Sequence, residues 1–354
     1  CAANLPTADA VDPAQTDDNY PQKLFAPKLY TGDGAATLTI SGMDLQPDMT
    51  WIKNRDAADD SCVFDTSRGV TKLWHTNNSD PETTEATSLK SWTSDGFTTG
   101  SLDLVNTSAE DYASWNWRMN GGTTSSNALG DVTSTVQVDP TGNMSIITYT
   151  GTGIAGNTVG HGLSQAPDFF IVNQLNGGNN RIVAARAYPD NAHDLRLDVV
   201  GAGGGASVFP AGQSFDNVTS TLWPMALNSP VNGSTNTYVG YFFTNCEGFI
   251  KSGTYEGNAN ASGTFVHTGF RPALIICKSY DSTSDWFMYD DSRVGFNVEN
   301  SVLWANEPTA EAATVMIDIL SNGFKLRIAT DPNVAETYFY MAFAHNPFQY
   351  ATAR

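Results

Sequence analysis

Carboxylates are the most abundant groups in this sequence that could carry out acid–base chemistry, since Asp and Glu together number 37. Two of them recur in matching surroundings: Asp65 in Phe-Asp-Thr-Ser-Arg and Asp290 in Tyr-Asp-Asp-Ser-Arg. A glycosidase needs two carboxylates roughly 5 to 10 Å apart, and spacing along a chain does not place these two together. Each has an arginine three residues later, and their recurrence favours a structural role over a catalytic one. We therefore predict structural ion pairs, Asp65 with Arg68 and Asp290 with Arg293.

Signals for other chemistry are weak. Residues 151–156 have the Gly-x-Gly-x-x-Gly spelling of a dinucleotide-binding loop, but residues 157–162 are not suited to the helix that must follow it. The five histidines and four cysteines lack metal-ligand spacing, and no Gly-x-Ser-x-Gly motif is present. The acidic doublets lack the spacing of a calcium loop, and we interpret them as solvated loops: Asp17-Asp18, Asp59-Asp60 and Asp290-Asp291. We predict no catalytic, cofactor-binding or metal-ligating residue, and no enzyme activity.

Aromatic residues give the one indication of ligand binding. Trp74, His75 and Asn77 lie close together in one segment, and Trp304 and Asn306 occupy the matching position of another. The C–H face of a sugar stacks on an aromatic ring while its hydroxyls bind amides, so these five residues are candidate glycan contacts. Packing of both tryptophans in a core is the alternative interpretation.

Three copies of one pattern must position these residues. Each copy begins with Tyr-x-Gly, has a proline 17 or 18 positions later, continues with an apolar run, and closes with an aromatic strand. The tyrosines and prolines are Tyr30 and Pro47, Tyr149 and Pro167, and Tyr255 and Pro272, and the aromatic runs are 112–117, 238–243 and 338–343. The outer copies share hairpin signals, Ser-Asp-Gly-Phe at 94–97 and Ser-Asn-Gly-Phe at 321–324. The middle copy lacks these signals and instead carries a Gly-rich stretch at 201–205, which we interpret as a loop.

Each copy reads as six to eight short strands separated by turns about every 8 to 12 residues, without a convincing amphipathic helix. We predict an all-β fold of three tandem antiparallel β-sandwich or jelly-roll-like repeats of about 100 residues. The predicted organisation is an extended arm or linker at 1–22, a first repeat at 23–120, a linker with a short strand at 121–143, a degenerate second repeat at 144–247, and a third repeat at 248–354.

Charge and hydropathy exclude several classes of function. The formal net charge is −19, and such a surface repels phosphate backbones and anionic lipid heads. No stretch reaches the roughly 18 apolar residues that a membrane helix needs. We therefore expect neither nucleic-acid binding nor membrane insertion. The sequence begins with Cys1 rather than Met, so we expect a processed terminus or a fragment of a longer protein.

The order of motifs along the whole chain resembles an uncharacterised domain of virion proteins from marine tailed phages, which are usually described as tail-fibre-like. The motifs that carry this resemblance are Tyr-Thr-Gly-x-Gly, Pro-Asp-x-x-Trp-Ile-Lys, Phe-Asp-x-x-Arg-Gly, Val-Gly-His-Gly-Leu, Gly-Phe-Arg-Pro, Ser-Asn-Gly-Phe-Lys-Leu-Arg and the closing Phe-Ala-His-Asn-Pro-Phe at 343–348. The resemblance implies a structural virion protein on the tail or another outer surface, and it supplies no catalytic residues.

We therefore expect a non-enzymatic, tail-fibre-like module that attaches to a host-surface glycan. Its expected partners are other virion proteins and the host receptor, either as a homotrimer or as a single subunit whose three repeats form a pseudo-threefold body. Three alternatives remain open: a capsid decoration or head-fibre protein, a polysaccharide depolymerase with two convergent carboxylates in a groove, and a bacterial extracellular filament subunit.

Overall fold

The structure is a computed structural model that describes residues 24–344 apart from 206–207, 295–296 and 298. Within those residues the chain forms 26 β-strands, two four-residue α-helices and one 3-10 helix. The strand ladders run antiparallel, which confirms the predicted all-β, antiparallel class. The predicted arm at 1–22, Cys1, Asp17-Asp18 and the end of the closing motif from His345 onward lie outside the described residues.

The first unit contains two sheets. One has six strands in the order β1-β9-β3-β4-β5-β6, and the other has three strands in the order β2-β8-β7. Its elements are β1 (Phe25–Thr31), β2 (Leu38–Ile40), β3 (Met49–Asn54), β4 (Cys62–Asp65), β5 (Lys72–His75), β6 (Thr83–Thr84), β7 (Leu89–Thr93), β8 (Gly96–Thr99), α1 (Asp103–Asn106) and β9 (Asp111–Trp117).

The second unit has a seven-stranded sheet, β10-β11-β12-β18-β14-β15-β16, and a two-stranded sheet, β13-β17. Its elements are β10 (Ser125–Asn127), β11 (Ser134–Val138), β12 (Met144–Thr150), β13 (Thr158–Gly160), β14 (Phe169–Gln174), β15 (Ile182–Ala185), β16 (Leu195–Arg196), a 3-10 helix (Phe215–Asn217), β17 (Leu222–Pro224), α2 (Ser229–Asn232) and β18 (Thr237–Phe243). The stretch 121–143, predicted as a linker with one short strand, therefore contributes two strands to this sheet.

The third unit is one sheet of eight strands, in the order β19-β26-β21-β22-β23-β24-β25-β20. Its elements are β19 (Ile250–Glu256), β20 (Phe265–His267), β21 (Leu274–Ser279), β22 (Phe287–Asp290), β23 (Glu299–Trp304), β24 (Ala312–Leu320), β25 (Gly323–Leu326) and β26 (Thr337–Phe343).

One run of pairings is common to the three units. The first long strand pairs with the closing aromatic strand, that strand pairs with the strand after the recurrent proline, and two further strands follow: β1-β9-β3-β4-β5, β12-β18-β14-β15-β16 and β19-β26-β21-β22-β23. We call this run the inner sheet of each unit. The three-repeat organisation remains a prediction, and this shared order supports it.

Alternation along the strand after each proline explains how the units join. Its third residue is Trp51 in β3, Ile171 in β14 and Ile276 in β21, and all three belong to one buried cluster that spans the three units. The next residues in the first two units, Ile52 and Val172, belong to separate clusters confined to their own unit. Successive side chains of a strand point to opposite faces, so each of these inner sheets packs one face into a shared core and the other into its own sandwich.

The recurrent tyrosines stack on partners in the closing strand. In each unit the two rings lie nearly parallel, with centroids 5.0 or 5.1 Å apart. The pairs are Tyr30 with Tyr112, Tyr149 with Tyr238, and Tyr255 with Tyr338. Each first tyrosine donates its hydroxyl to the backbone carbonyl that precedes a buried asparagine, at Val105, Val231 and Pro332. A recurrent Tyr is therefore a packing and hydrogen-bonding part of the fold.

The buried asparagines hold the loop that follows each Tyr-x-Gly. The side-chain oxygen of Asn106 accepts from the N–H of Asp33, that of Asn232 from Thr152, and that of Asn333 from Asn258, at 2.9 to 3.2 Å. All three side chains are fully buried. An amide that both donates and accepts can satisfy the backbone of an irregular loop where no water reaches.

The predicted hairpins are present, with turns placed one residue earlier than the Asp-Gly and Asn-Gly signals indicated. Thr93 pairs with Gly96, and Leu320 with Gly323, so the turn residues are 94–95 and 321–322. Gly96 and Gly323 have φ of 149° and 158°, and a Cβ on either would approach a neighbouring backbone carbonyl more closely than 3.0 Å. Glycine is therefore required at both positions by the closeness of the adjacent strand as well as by the turn.

Both ends of the described chain meet at one end of the molecule, which we call the near end. Phe25 and Phe343 lie one residue from those ends, and their ring centroids are 5.5 Å apart. Trp117 and Phe243, which end β9 and β18, lie 5.4 and 5.6 Å from the same Phe343 ring. The three closing strands therefore end together. The loops at the opposite ends of the inner sheets form what we call the far end.

Candidate functional site

The two predicted Asp–Arg pairs lie at equivalent turns, immediately after β4 and β22. Arg68 Nε donates to Asp65 Oδ2 at 2.5 Å, and Arg293 Nε donates to Asp290 Oδ2 at 2.7 Å. Each aspartate also accepts from the backbone N–H of its arginine, at 2.9 and 3.1 Å. Burial disfavours the charged Arg68 guanidinium, but Asp65, Tyr241 and Glu82 together outweigh that effect and raise the pKa of Arg68. Each pair closes its turn.

Each pair also joins its unit to a neighbour. Tyr241 of the second unit donates its hydroxyl to Asp65 at 2.7 Å, and Trp115 of the first unit donates Nε1 to Asp290 at 3.2 Å. Both carboxylates are buried and hold several donors. Asp65 and Asp290, the two aspartates that recur in the sequence, therefore have structural roles and face no groove.

Trp74 lies between the first and second units and not in an exposed loop. It is 1% exposed, and its Nε1 donates to the Tyr241 hydroxyl at 3.1 Å. The guanidinium carbon of Arg181 lies 5.7 Å from the Trp74 ring centroid, a cation–π contact across the interface. A ring enclosed in this way offers no face to a sugar.

Trp304 is not the structural counterpart of Trp74. In the first unit Trp51 pairs with Val63 and Val63 with Trp74, whereas the corresponding run in the third unit is Ile276, Met288 and Leu303. Leu303 therefore occupies the position of Trp74, and Trp304 lies one residue later, on the opposite face of its sheet. This one-residue shift separates the two tryptophans that the sequence placed together. Trp304 is half-buried against the core.

Asn77 and Asn306 perform the same structural task. Asn77 accepts from the N–H of Ser61 at 2.9 Å and donates to Asp60, and Asn306 accepts from the N–H of Trp286 at 2.7 Å and donates to Asp285. Each amide therefore fastens the loop after the fifth inner strand to the start of the fourth.

His75 is buried with a ring nitrogen 3.1 Å from the Ser61 carbonyl. Asn306 is 4% exposed. Of the five candidate glycan contacts, only Asn77 and Trp304 retain partial exposure, and the structure places them in different units. The five residues do not form one surface.

Two buried lysines reach from one unit to a backbone carbonyl of its neighbour. Lys53 Nζ donates to the Glu307 carbonyl at 2.7 Å, and Lys278 Nζ donates to the Val200 carbonyl at 2.9 Å. Both lysines are fully buried, and burial lowers the pKa of each to about 8. Their shared position, six residues after the proline, was the available signal.

The second unit has Asn173 at that position and uses Arg181 instead. Arg181 is fully buried and donates to the His75 carbonyl at 3.1 Å and to the Asp80 carbonyl, both in the first unit. Burial lowers its pKa to about 10. Each interface between units thus contains one buried cation bound to backbone carbonyls of the neighbouring unit, although in the second unit the residue lies just before β15 and not in the strand after the proline.

The Gly-rich stretch 201–205 packs at the interface between the second and third units. A Cβ on Gly203 would overlap the ring of Tyr280, and a Cβ on Gly205 would overlap the carboxylate of Asp194. Asp194 is fully buried with Arg196 Nε 3.6 Å away, and burial raises the pKa of Asp194 to about 6. Because Gly203 and Gly205 have no side chains, this loop can lie directly on the interface.

His161 is a buried, uncharged histidine in a turn. Its Nδ1 accepts from the N–H of Leu163 at 3.3 Å, its Nε2 lies 3.2 Å from the Thr219 carbonyl, and its ring stacks on Phe242. Burial lowers the pKa of His161 to about 4. The neutral ring can satisfy both contacts, since one nitrogen accepts and the other donates.

We expect this histidine to make the protein acid-sensitive. Between pH 6.5 and about 4 the unfolded chain binds a proton at His161 that the folded chain does not, so the free energy of unfolding falls as the pH is lowered, by about 3 kcal/mol in total. Denaturant unfolding at pH 7 and pH 4 should show this loss in the wild type and a smaller one in His161→Gln. His267→Gln, which alters an exposed histidine, should behave as the wild type. Equal pH dependence of the two variants would contradict the assignment.

Three further observations concern metal ligands, cysteine thiols and membrane-spanning helices. In the described part of the chain, no group of three His, Cys, Asp or Glu side chains is placed to hold a metal ion. Cys62 and Cys277 are buried free thiols, and burial raises the pKa of half-buried Cys246 to about 11. A search of the described helices found none long and apolar enough to span a membrane.

The described residues contain three inner sheets, one shared core and recurring Tyr, Gly and Asn contacts. These features extend over nearly the whole described chain. A model of a domain of unknown function, DUF7483, matches residues 20–347. The chain belongs to the DUF7483 family. A search of curated proteins and a search of solved structures each found no match. The family match spans all three units, so the three units together correspond to one DUF7483 domain.

Proposed function

We propose that this DUF7483 chain is a non-catalytic attachment module, carried on the outer surface of a tailed-phage virion, whose far end contacts a host-surface glycan. The observation that carries the proposal is that the two ends of the described residues, 24 and 344, lie together. Phe25 and Phe343 are in contact at the near end, so a particle can hold the module at that end. The far-end loops of all three units then point away from the attachment.

The shared core supports a role in display. The cluster that spans the three units includes aromatic side chains from each unit, and each interface adds a buried cation, at Lys53, Arg181 or Lys278. Burial of this kind resembles a domain core, so the units are held in one arrangement and not hinged. Loops on such a scaffold are presented at constant spacing, as multivalent binding requires.

The residues that could have suggested catalysis have structural roles instead. Asp65 and Asp290 are buried, ion-paired and bonded to side chains of neighbouring units. A hydrolase would need carboxylates that reach a substrate. This arrangement favours binding over turnover, and the resemblance of the sequence to tail-fibre-like proteins supports a virion location.

Two measurements test the proposal. Incubating the protein with a panel of capsular polysaccharides and lipopolysaccharides should give binding to at least one of them, with no change in its chain length. Shortened chains would overturn the non-catalytic assignment, and binding to no member of a panel that includes the host's own polysaccharides would overturn attachment. Immunogold labelling of particles that carry this chain should mark an outer surface, and label confined to disrupted particles would overturn the virion-surface location.

A further inference from the structure

Three far-end loops, those after the first and third inner strands and before the closing strand, differ sharply in charge between the units. In the first unit they contain six carboxylates and one arginine: Asp33, Asp56, Asp59, Asp60, Asp103, Glu110 and Arg55. In the third unit they contain four carboxylates and one arginine: Asp281, Asp285, Asp331, Glu336 and Arg327. In the second unit the loop after β16 carries the buried Asp198. Its other far-end loops, 151–157, 174–180 and 226–236, contain no charged residue. We call these three loops the middle-unit tip.

The three loops of the middle-unit tip are bonded into one surface. Asn232 accepts from the N–H of Thr152 at 2.9 Å and donates to the Ile154 carbonyl at 2.9 Å. Asn179 Nδ2 donates to Ser229 Oγ at 2.9 Å, which connects the second loop to the third. The tip is therefore a continuous patch of amides, hydroxyls and glycine backbone.

Two aliphatic side chains project from this patch. Ile154 is 57% exposed and Leu227 is 63% exposed, in a protein with only three other large hydrophobic residues that are exposed among the described residues. The adjoining loop backbones are paired, since Gly156 donates to the Met225 carbonyl at 3.0 Å. Exposed aliphatics within a polar patch are a feature of contact surfaces.

The fold itself does not require the tip to be uncharged. The second unit uses Asn176 to accept from the N–H of the first residue of its closing strand, at 3.0 Å. The first and third units use Asp56 and Asp281 for the same bond, at 2.7 Å each. A carboxylate and an amide oxygen both serve this acceptor role. The absence of charge at the middle-unit tip is therefore separate from its structural task.

We propose that the middle-unit tip is the glycan-binding site of this module and that its ligand is an uncharged polysaccharide. This inference rests on the proposed function. Amide and hydroxyl groups exchange hydrogen bonds with sugar hydroxyls without the cost of stripping water from a charge. Ile154 and Leu227 offer apolar surface to the C–H faces of the sugar rings. A chain with a net charge of −19 and acidic far ends on both neighbouring units repels anionic polymers but not neutral ones.

The test measures binding of the full chain to neutral polysaccharides (dextran, mannan and galactan, together with any neutral glycan from the host panel) and to alginate as an anionic counterpart. The wild type should bind a neutral polymer, with little dependence on salt, and should not bind alginate. Leu227→Asp should weaken that binding by about tenfold or more, because a charge must then be dehydrated in the contact. Leu129→Asp is the matched control, since Leu129 is 68% exposed in the same unit but outside the tip.

A second pair of variants separates folding from binding. Asn176→Asp installs the residue that the first and third units already use, so the thermal unfolding midpoint should stay unchanged while binding weakens. Asp281→Asn makes the reverse exchange in the third unit and should leave binding unchanged. Wild-type binding that Leu227→Asp and Asn176→Asp do not alter would overturn the site and leave the proposed function standing. Preference for alginate would overturn the ligand class, and binding to no polysaccharide would contradict the proposed function itself.

Discussion

Arg293→Met is expected to lower the free energy of unfolding by about 3 to 5 kcal/mol, because it leaves the Asp290 carboxylate buried without its cation. Asp290 is 1% exposed and the Arg293 side chain is fully buried. The guanidinium also lies 3.1 Å from Glu311 and donates to the Met288 carbonyl at 2.9 Å. Glu311 keeps its second ion pair, with Arg55 Nε at 2.9 Å. The loss therefore comes mainly from the Asp290 carboxylate and from a backbone acceptor left without a donor.

Denaturant unfolding followed by tryptophan fluorescence measures this effect, with Lys72→Met as the control. Lys72 Nζ lies 3.4 Å from Glu82 and is 39% exposed, so removing its charge should cost about 1 kcal/mol or less. Because Trp115 of the first unit donates to Asp290, the loss should appear in a single transition of the whole molecule. Equal costs for the two variants would show that burial does not determine the value of the Arg293 pair.

The strand class could be predicted from sequence because its causes are local. Alternating side chains, turn residues and β-branched or aromatic runs determine which stretches become strands, and they recur in all three units. The Tyr-x-Gly and proline spacings located the inner strands correctly. The stretch 121–143 was harder, since β10 and β11 form part of the second sheet only through pairing with β12, and an edge strand rich in Ser and Asn has the composition of a linker.

The candidate site depended on which face of a strand each side chain occupies. Strand pairing and packing between units determine that face, and neither can be seen in the local sequence. Trp74 and Trp304 follow similar leucines, yet the pairing registers place them on opposite faces. Packing of one unit on another then buries Trp74 beneath Arg181. No pattern within one copy indicates that a neighbouring unit will cover a residue.

The middle unit makes equivalent contacts with different residues. Arg181, which lies just before β15, replaces the lysine that the other units carry in the strand after the proline. Asp198 accepts from the N–H of Arg181 at 2.8 Å as Asn77 accepts from Ser61. Alignment by residue identity detects neither replacement. The backbone groups that are bound are equivalent in the units, but the side chains that bind them differ.

Gly257→Ala is expected to lower the free energy of unfolding by roughly 3 kcal/mol, because the added Cβ would overlap the carbonyl oxygen of Val334. Gly32 faces the carbonyl of Thr107 in the first unit, and Gly151 faces that of Gly233 in the second. These are backbone atoms next to the buried asparagines, so no side chain can rotate away. If the three units are copies of one module, Gly32→Ala and Gly151→Ala should cost as much as Gly257→Ala.

The control is Gly201→Ala, where the nearest heavy atom to an added Cβ is 3.9 Å away, and its cost should be small. Thermal and denaturant unfolding of the four variants measures the comparison directly. Equal losses at the three Tyr-x-Gly positions would mean that the tight approach of two backbones is the reason for the recurrent glycine. A large loss at only one position would show that the three segments share a sequence pattern without sharing the contact, and the three-repeat prediction would then be wrong.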